Sequence, residues 1–108
     1  MILAALALAA APTPPLAVGM GTKSCGSWTE AARDNGGWPR AAFEAWLAGF
    51  VSGVNLNIAA TVGNLNDGTD FDGMVAWIDN YCAANPLSSV SSATVTLSVE
   101  LLNRKHAR

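Results

Sequence analysis

The chain has 108 residues, 51% of them hydrophobic and 13% charged, enough for one domain with its own core and too apolar for an intrinsically disordered chain. Six Lys and Arg against eight Asp and Glu give a net charge of −2, which leaves no material for the basic face that nucleic-acid binding needs. A single histidine, His106, and two cysteines leave little for metal or acid–base chemistry.

Residues 1–11 are apolar without a charge, too short to cross a bilayer and suited to the h-region of a secretory signal peptide. Pro12, Pro14 and Pro15 break any helix continuing from them. Cleavage is expected after Ala17, so that 1–17 is a signal peptide and 18–108 the mature, periplasmic domain, free of the membrane. Export agrees with the cysteines: Cys25 and Cys82, 57 residues apart, are expected to be joined. The alternative, free thiols in redox or metal chemistry, finds no C-x-x-C and no nearby His.

The mature chain reads as helical. A first helix is expected over 24–35, with Ser27 as N-cap and Glu30 completing a capping box, ended by Asn35-Gly36-Gly37. Pro39 suits the first turn of the next helix. There Phe43, Trp46, Leu47, Phe50, Val51, Val54 and Ile58 form one apolar stripe about six turns long. Gly49 and Gly53 lie beside it and would let another helix approach closely. Residues 63–69 are a loop by composition. Asp70 is placed to cap a third helix, with Asp72 in its first turn. Met74, Trp77, Ile78, Tyr81 and Cys82 line one face of that helix, and Asn85-Pro86 stops it.

The last segment is ambiguous. Residues 93–101 alternate apolar and polar as a strand would, yet Val90, Ala93, Leu97 and Leu101 also fit a helix. Ser88 offers an N-cap, Glu100 can pair with Arg104, and a lone strand would have no partner. The expectation is a helix, its C-terminus complemented by Arg104, Lys105, His106 and Arg108. The fold class is therefore all-α: a small bundle of about four helices pinned by one disulfide.

Candidate chemistry is sparse. Aligning 68–79 with a calcium loop puts Gly68 where a carboxylate is needed and Asp79 where a bidentate Glu belongs, so the expected roles are a helix cap and a solvated loop, with no metal and no cofactor. No Ser-His-Asp, Cys-His or paired-carboxylate arrangement stands out, so no enzyme is expected. Between Ala41 and Asn103 there is no Lys or Arg, but Glu44, Asp67, Asp70, Asp72, Asp79 and Glu100 give that region −6. Asn64, Asn66, Asp67, Asp70 and Asp72 are the candidate partner-binding residues, facing a basic surface on a protein partner. A homodimer is a further option.

The run Cys25-Gly26-Ser27-Trp28, then 46–53 (WLAGFVSG), then 77–82 (WIDNYC) with Asn85-Pro86-Leu87 downstream, resembles the Tai-type immunity family across most of residues 25–102. That resemblance implies a small periplasmic helical protein with a Cys25–Cys82 bridge that neutralises a peptidoglycan amidase effector of type VI secretion by occluding its active site. More distantly the pattern resembles the HdeA acid-stress chaperones. For that alternative, protonating every carboxylate and His106 would take the formal charge from −2 to +7.

Overall fold

A computed structural model describes residues 16–34 and 36–107. The expected signal segment up to residue 15 and the tail residue Arg108 lie outside the described residues. Four helices follow a short 3-10 turn at Gly19–Thr22: α1 (Cys25–Arg33), α2 (Trp38–Val62), α3 (Phe71–Ala84) and α4 (Val90–His106). Among the described residues the one β-type pairing is an isolated bridge between Ser24 and Ser89. The fold is a small all-α bundle held by the Cys25–Cys82 disulfide.

α1 is capped by Ser24, whose side chain accepts from Ser27 N–H. The cap thus falls three residues earlier than the capping box at Ser27 predicts, and Glu30 pairs with Arg33. The reason is tertiary. Cys25 N–H donates to Ser88 O at 2.7 Å and Gly26 N–H to Pro86 O at 3.1 Å, so the α3–α4 connection supplies acceptors to the first amides of α1. Val90 N–H returns a bond to Lys23 O at 2.9 Å.

α2 starts with Gly37 as N-cap and buries Arg40, Phe43, Leu47 and Val51, while Trp46, Phe50, Val54 and Ile58 are half-buried. The predicted stripe is therefore the packed side. Trp46 also holds the N-terminal segment: its Nε1–H donates to Val18 O at 2.8 Å, and Gly21 lies so flat against the indole that a Cβ there would collide with the ring.

α3 packs chiefly on α1 and α4, and less closely on α2. Met74, Val75, Ile78 and Cys82 form its buried face, which places Cys82 against Cys25 at the α1–α3 contact. Its half-buried Trp77 and Tyr81 stack with ring centroids 5.3 Å apart.

The ambiguous last segment is helical. Its cap is Ser89, one residue after the predicted Ser88. The hydroxyls of Thr94, Thr96 and Ser98 donate to the carbonyls four residues earlier, which lets Thr94 and Ser98 be buried with their polar atoms satisfied. α4 runs parallel to α2, because early α4 (Ser91, Val95) shares a groove with Trp46 and Phe50 while Lys105 reaches Asp67 just beyond α2. α3 runs the opposite way, with Phe71 near Val51 and Asp79 beside Arg40.

Candidate functional site: the loop joining α2 and α3

The candidate binding residues all belong to the turn between α2 and α3 and the start of α3. α2 ends at Gly63 in the left-handed region, with φ of 85°, which a side chain would disfavour. Leu65 then folds back and is 1% exposed, anchoring the loop in the core. Its N–H donates to Asn55 Oδ1 at 2.7 Å, and Asn55 Nδ2 donates to Asn66 Oδ1 at 3.0 Å, so one α2 side chain clamps two loop positions. Asp67 accepts from Asn64 N–H at 3.0 Å and pairs with Lys105 of α4 at 2.9 Å.

Asp70 caps α3 as expected, accepting from Gly73 N–H at 2.8 Å, and Asp72 is exposed in the first turn. Between this loop and α2 lies an open groove of about 410 Å³. Asn66, Asp70 and Phe71 form one wall and Ala48, Ser52 and Asn55 the other. It joins Asn66 and Asp70; Asn64, Asp67 and Asp72 are not among its lining residues.

The structure adds partners to the charges read from the sequence. Lys105 lies in the last turn of α4 as expected and also ties that helix to Asp67, and Arg104 pairs with Glu100 as expected. Asp79 does not join the loop acids at all. It meets Arg40, the last cation before the acidic region, in a two-pronged contact: Nη1 to Oδ1 at 2.8 Å and Nη2 to Oδ2 at 3.1 Å. Trp28, fully buried, donates its Nε1–H to the same Oδ1 at 2.7 Å. The guanidinium stacks over the Trp28 ring, 5.3 Å from the centroid, and Arg40 Nε lies 2.7 Å from Glu44 Oε2 in an ionic contact outside hydrogen-bond angles.

Burial alone would raise the Asp79 pKa, but the hydrogen bonds from Arg40 and Trp28, with the charge of Arg40, outweigh it and hold the carboxyl below its ordinary value. The Arg40 pKa is raised, first by its hydrogen bond to Asp79 and further by the charges of Asp79 and Glu44, against the opposing effect of burial. This network joins α1, α2 and α3, and sequence reasoning missed it. A 39-residue separation carries no periodic signal, and the only hint was a lone arginine at the edge of a long run without cations.

Among the described residues no group of three or more His, Cys, Asp or Glu is placed to hold a metal ion. His106 is exposed in the last turn of α4. What the loop offers chemically is a set of fixed hydrogen-bonding and acidic groups beside an open groove. By its fold the protein is a disulfide-pinned helical bundle. No family model matches the chain, and neither does any curated protein or solved structure.

Proposed function

We propose that the chain is an exported protein-binding module that neutralises a cell-wall-degrading effector by occluding its active site, in the manner of the Tai-type immunity family it resembles. The observation that carries this reading is the pre-organised loop. Leu65 is buried, Asn55 clamps the turn, and Lys105 holds Asp67, so the surface that carries Asn66, Asp70 and Asp72 is fixed before a partner arrives. A loop held in one shape loses little entropy on association, and its acids favour a basic rim on a partner. The disulfide agrees with an oxidising compartment such as the periplasm.

The test is a pull-down from periplasmic and secreted fractions with the disulfide intact, followed by affinity measurement on Asp72→Lys. Asp72 is exposed and makes no cap, unlike Asp70, so its reversal costs the fold only the charge interaction with the helix end, about 1 kcal/mol. Recovery of a stoichiometric cell-wall hydrolase, with affinity reduced at least ~10-fold by Asp72→Lys, supports the reading. A hydrolase bound equally well by the variant removes the loop from the interface, and no hydrolase at all sinks the immunity role.

The Asp79–Arg40–Trp28 network favours a second reading, an acid-stress chaperone. Neutralising Asp79 in acid strips a partner from a buried guanidinium and from the core Trp28. Protection of unfolded clients at about pH 2–3 and not at pH 7 would support it; no protection at either pH would dismiss it.

A further inference from the structure

The outward side of α2 is apolar, uncharged and unpartnered. Residues 45–62 contain no ionisable side chain. An 18-residue stretch of this helix has a mean hydropathy of 1.4, yet only 11% of it is buried. Ala45, Gly49, Ser52, Leu56 and Ala59 recur at spacings of 4, 3, 4 and 3, which puts them on one side of the helix, and all are exposed. Leu56 is 88% exposed. A Cβ at Gly49 or Gly53 would meet nothing within 4 Å.

The next side of α2 carries Trp46 and Phe50, which share an apolar groove with Leu16, Val18 and, from α4, Val95; Val99, one turn on, is 52% exposed. Three exposed polar side chains of the stretch donate back to their own helix. Ser52 Oγ donates to Ala48 O, Asn57 Nδ2 to Gly53 O and Thr61 Oγ1 to Ile58 O, at 2.8, 2.9 and 3.0 Å. Covering this face would therefore leave those three donated bonds in place.

We propose that this face is the contact between two copies of the chain, packed antiparallel about a two-fold axis so that each Leu56 sits over the other copy's Gly49, beside Trp46 and Phe50. Protruding leucine and bare glycine lie seven residues, or ~10 Å, apart on the same face, which is the self-complementarity an isologous contact requires. An antiparallel axis between positions 52 and 53 brings the two together.

Charge selects both the orientation and the occupant. A parallel pair would set the two loops bearing Asp67, Asp70 and Asp72 side by side, whereas an antiparallel pair sends them to opposite ends. A lipid surface is disfavoured because interfacial helices present Lys and Arg beside their apolar face, and none occurs between Ala41 and Asn103. Area sets the strength. The outer half of an 18-residue helix offers ~450–500 Å². The partly exposed Trp46–Phe50–Val95–Val99 band, whose groove Leu16 and Val18 also line, adds to this on each copy but stays below the ~800 Å² per partner of a standard interface, which suits a weak dimer.

The test is sedimentation equilibrium of the disulfide-bonded chain from ~5 to ~500 µM, beside Leu56→Glu, Gly49→Leu and a control, Leu87→Glu. Leu87 is 99% exposed in the α3–α4 connection, away from the proposed contact. Gly49→Leu has room in the monomer and removes a helical glycine, so its melting temperature should hold or rise. The expected result is a wild-type dimer, a dissociation constant at least ~10-fold higher in both face variants, and no change in the control. A wild type that stays monomeric throughout, or face variants that dimerise as it does, would overturn the proposal. So would a monomeric wild type that co-sediments with phosphatidylcholine–phosphatidylglycerol vesicles and loses this with Leu56→Glu, which would assign the face to lipid.

Discussion

At the scale of single residues, Asp79 has the largest consequences. Asp79→Asn would keep its shape but leave the Arg40 guanidinium buried with Glu44 alone. Removing one partner of a fully buried pair costs about 3–5 kcal/mol; Asp79 is 37% exposed, so a loss of about 2 kcal/mol is expected by denaturant unfolding. The pH dependence follows from the direction of the shift. A carboxyl whose pKa is lower folded than unfolded stabilises the fold above the unfolded value of about 4, and that stabilisation is lost as pH falls through the folded value. Wild type should therefore lose stability as pH falls below about 4 more steeply than Asp79→Asn. Parallel acid limbs in the two proteins would refute the assignment. Asn55 offers a second check. Asn55→Ala leaves the Leu65 amide without its acceptor and should cost about 1–2 kcal/mol, with faster hydrogen exchange at Leu65. Neither role was legible in the sequence, where Asp79 counted as one of six acids in a run without cations and Asn55 carried no signal.

At the scale of elements, helix positions were readable from apolar spacing, while helix starts were decided by neighbours. The cap of α1 moved to Ser24 because the α3–α4 connection docks on its first turn, and the cap of α4 moved to Ser89 across the same bridge. The strand-like alternation of 93–101 gave way to a helix. Thr94, Thr96 and Ser98 find acceptors within their own helix, whereas no strand among the described residues offered a partner. The disulfide fastens α1 to α3 at this junction. Replacing Cys25 and Cys82 together by Ser should remove roughly 4 kcal/mol by releasing a 57-residue loop in the unfolded chain. For a domain whose whole stability is about 5–10 kcal/mol, calorimetry should show a melting temperature lowered by tens of degrees. A shift of only a few degrees would mean that packing of Trp28, Ile78 and Val90 carries the junction by itself.

At the scale of the molecule, the long acidic region is dispersed by folding. Glu44 and Asp79 gather on Arg40, Glu100 on Arg104 and Asp67 on Lys105, and Asp70 is used as a cap. The surface charge left for a partner is thus centred on Asp72 and the groove beside it, which is why reversal there is the cleanest probe of binding. The loop groove and the outward face of α2 meet at Ser52, but Asp72 and Leu56 both lie outside that overlap, so partner capture and self-association can be tested by different substitutions.

Legible in the chain alone were its helices, the buried sides of α2, α3 and α4, the Asp70 cap of α3, and two cysteines, Cys25 and Cys82, available to join. These follow from local periodicity and from the chemistry of a few residue types. Packing of the helices set which charges neutralise one another, that Trp28 and Arg40 converge on Asp79, that Asn55 shapes the loop, and that one side of α2 is left bare. Those outcomes depend on the directions in which four helices run past one another, and contacts between residues 38 or 39 positions apart leave no repeat in the chain to read.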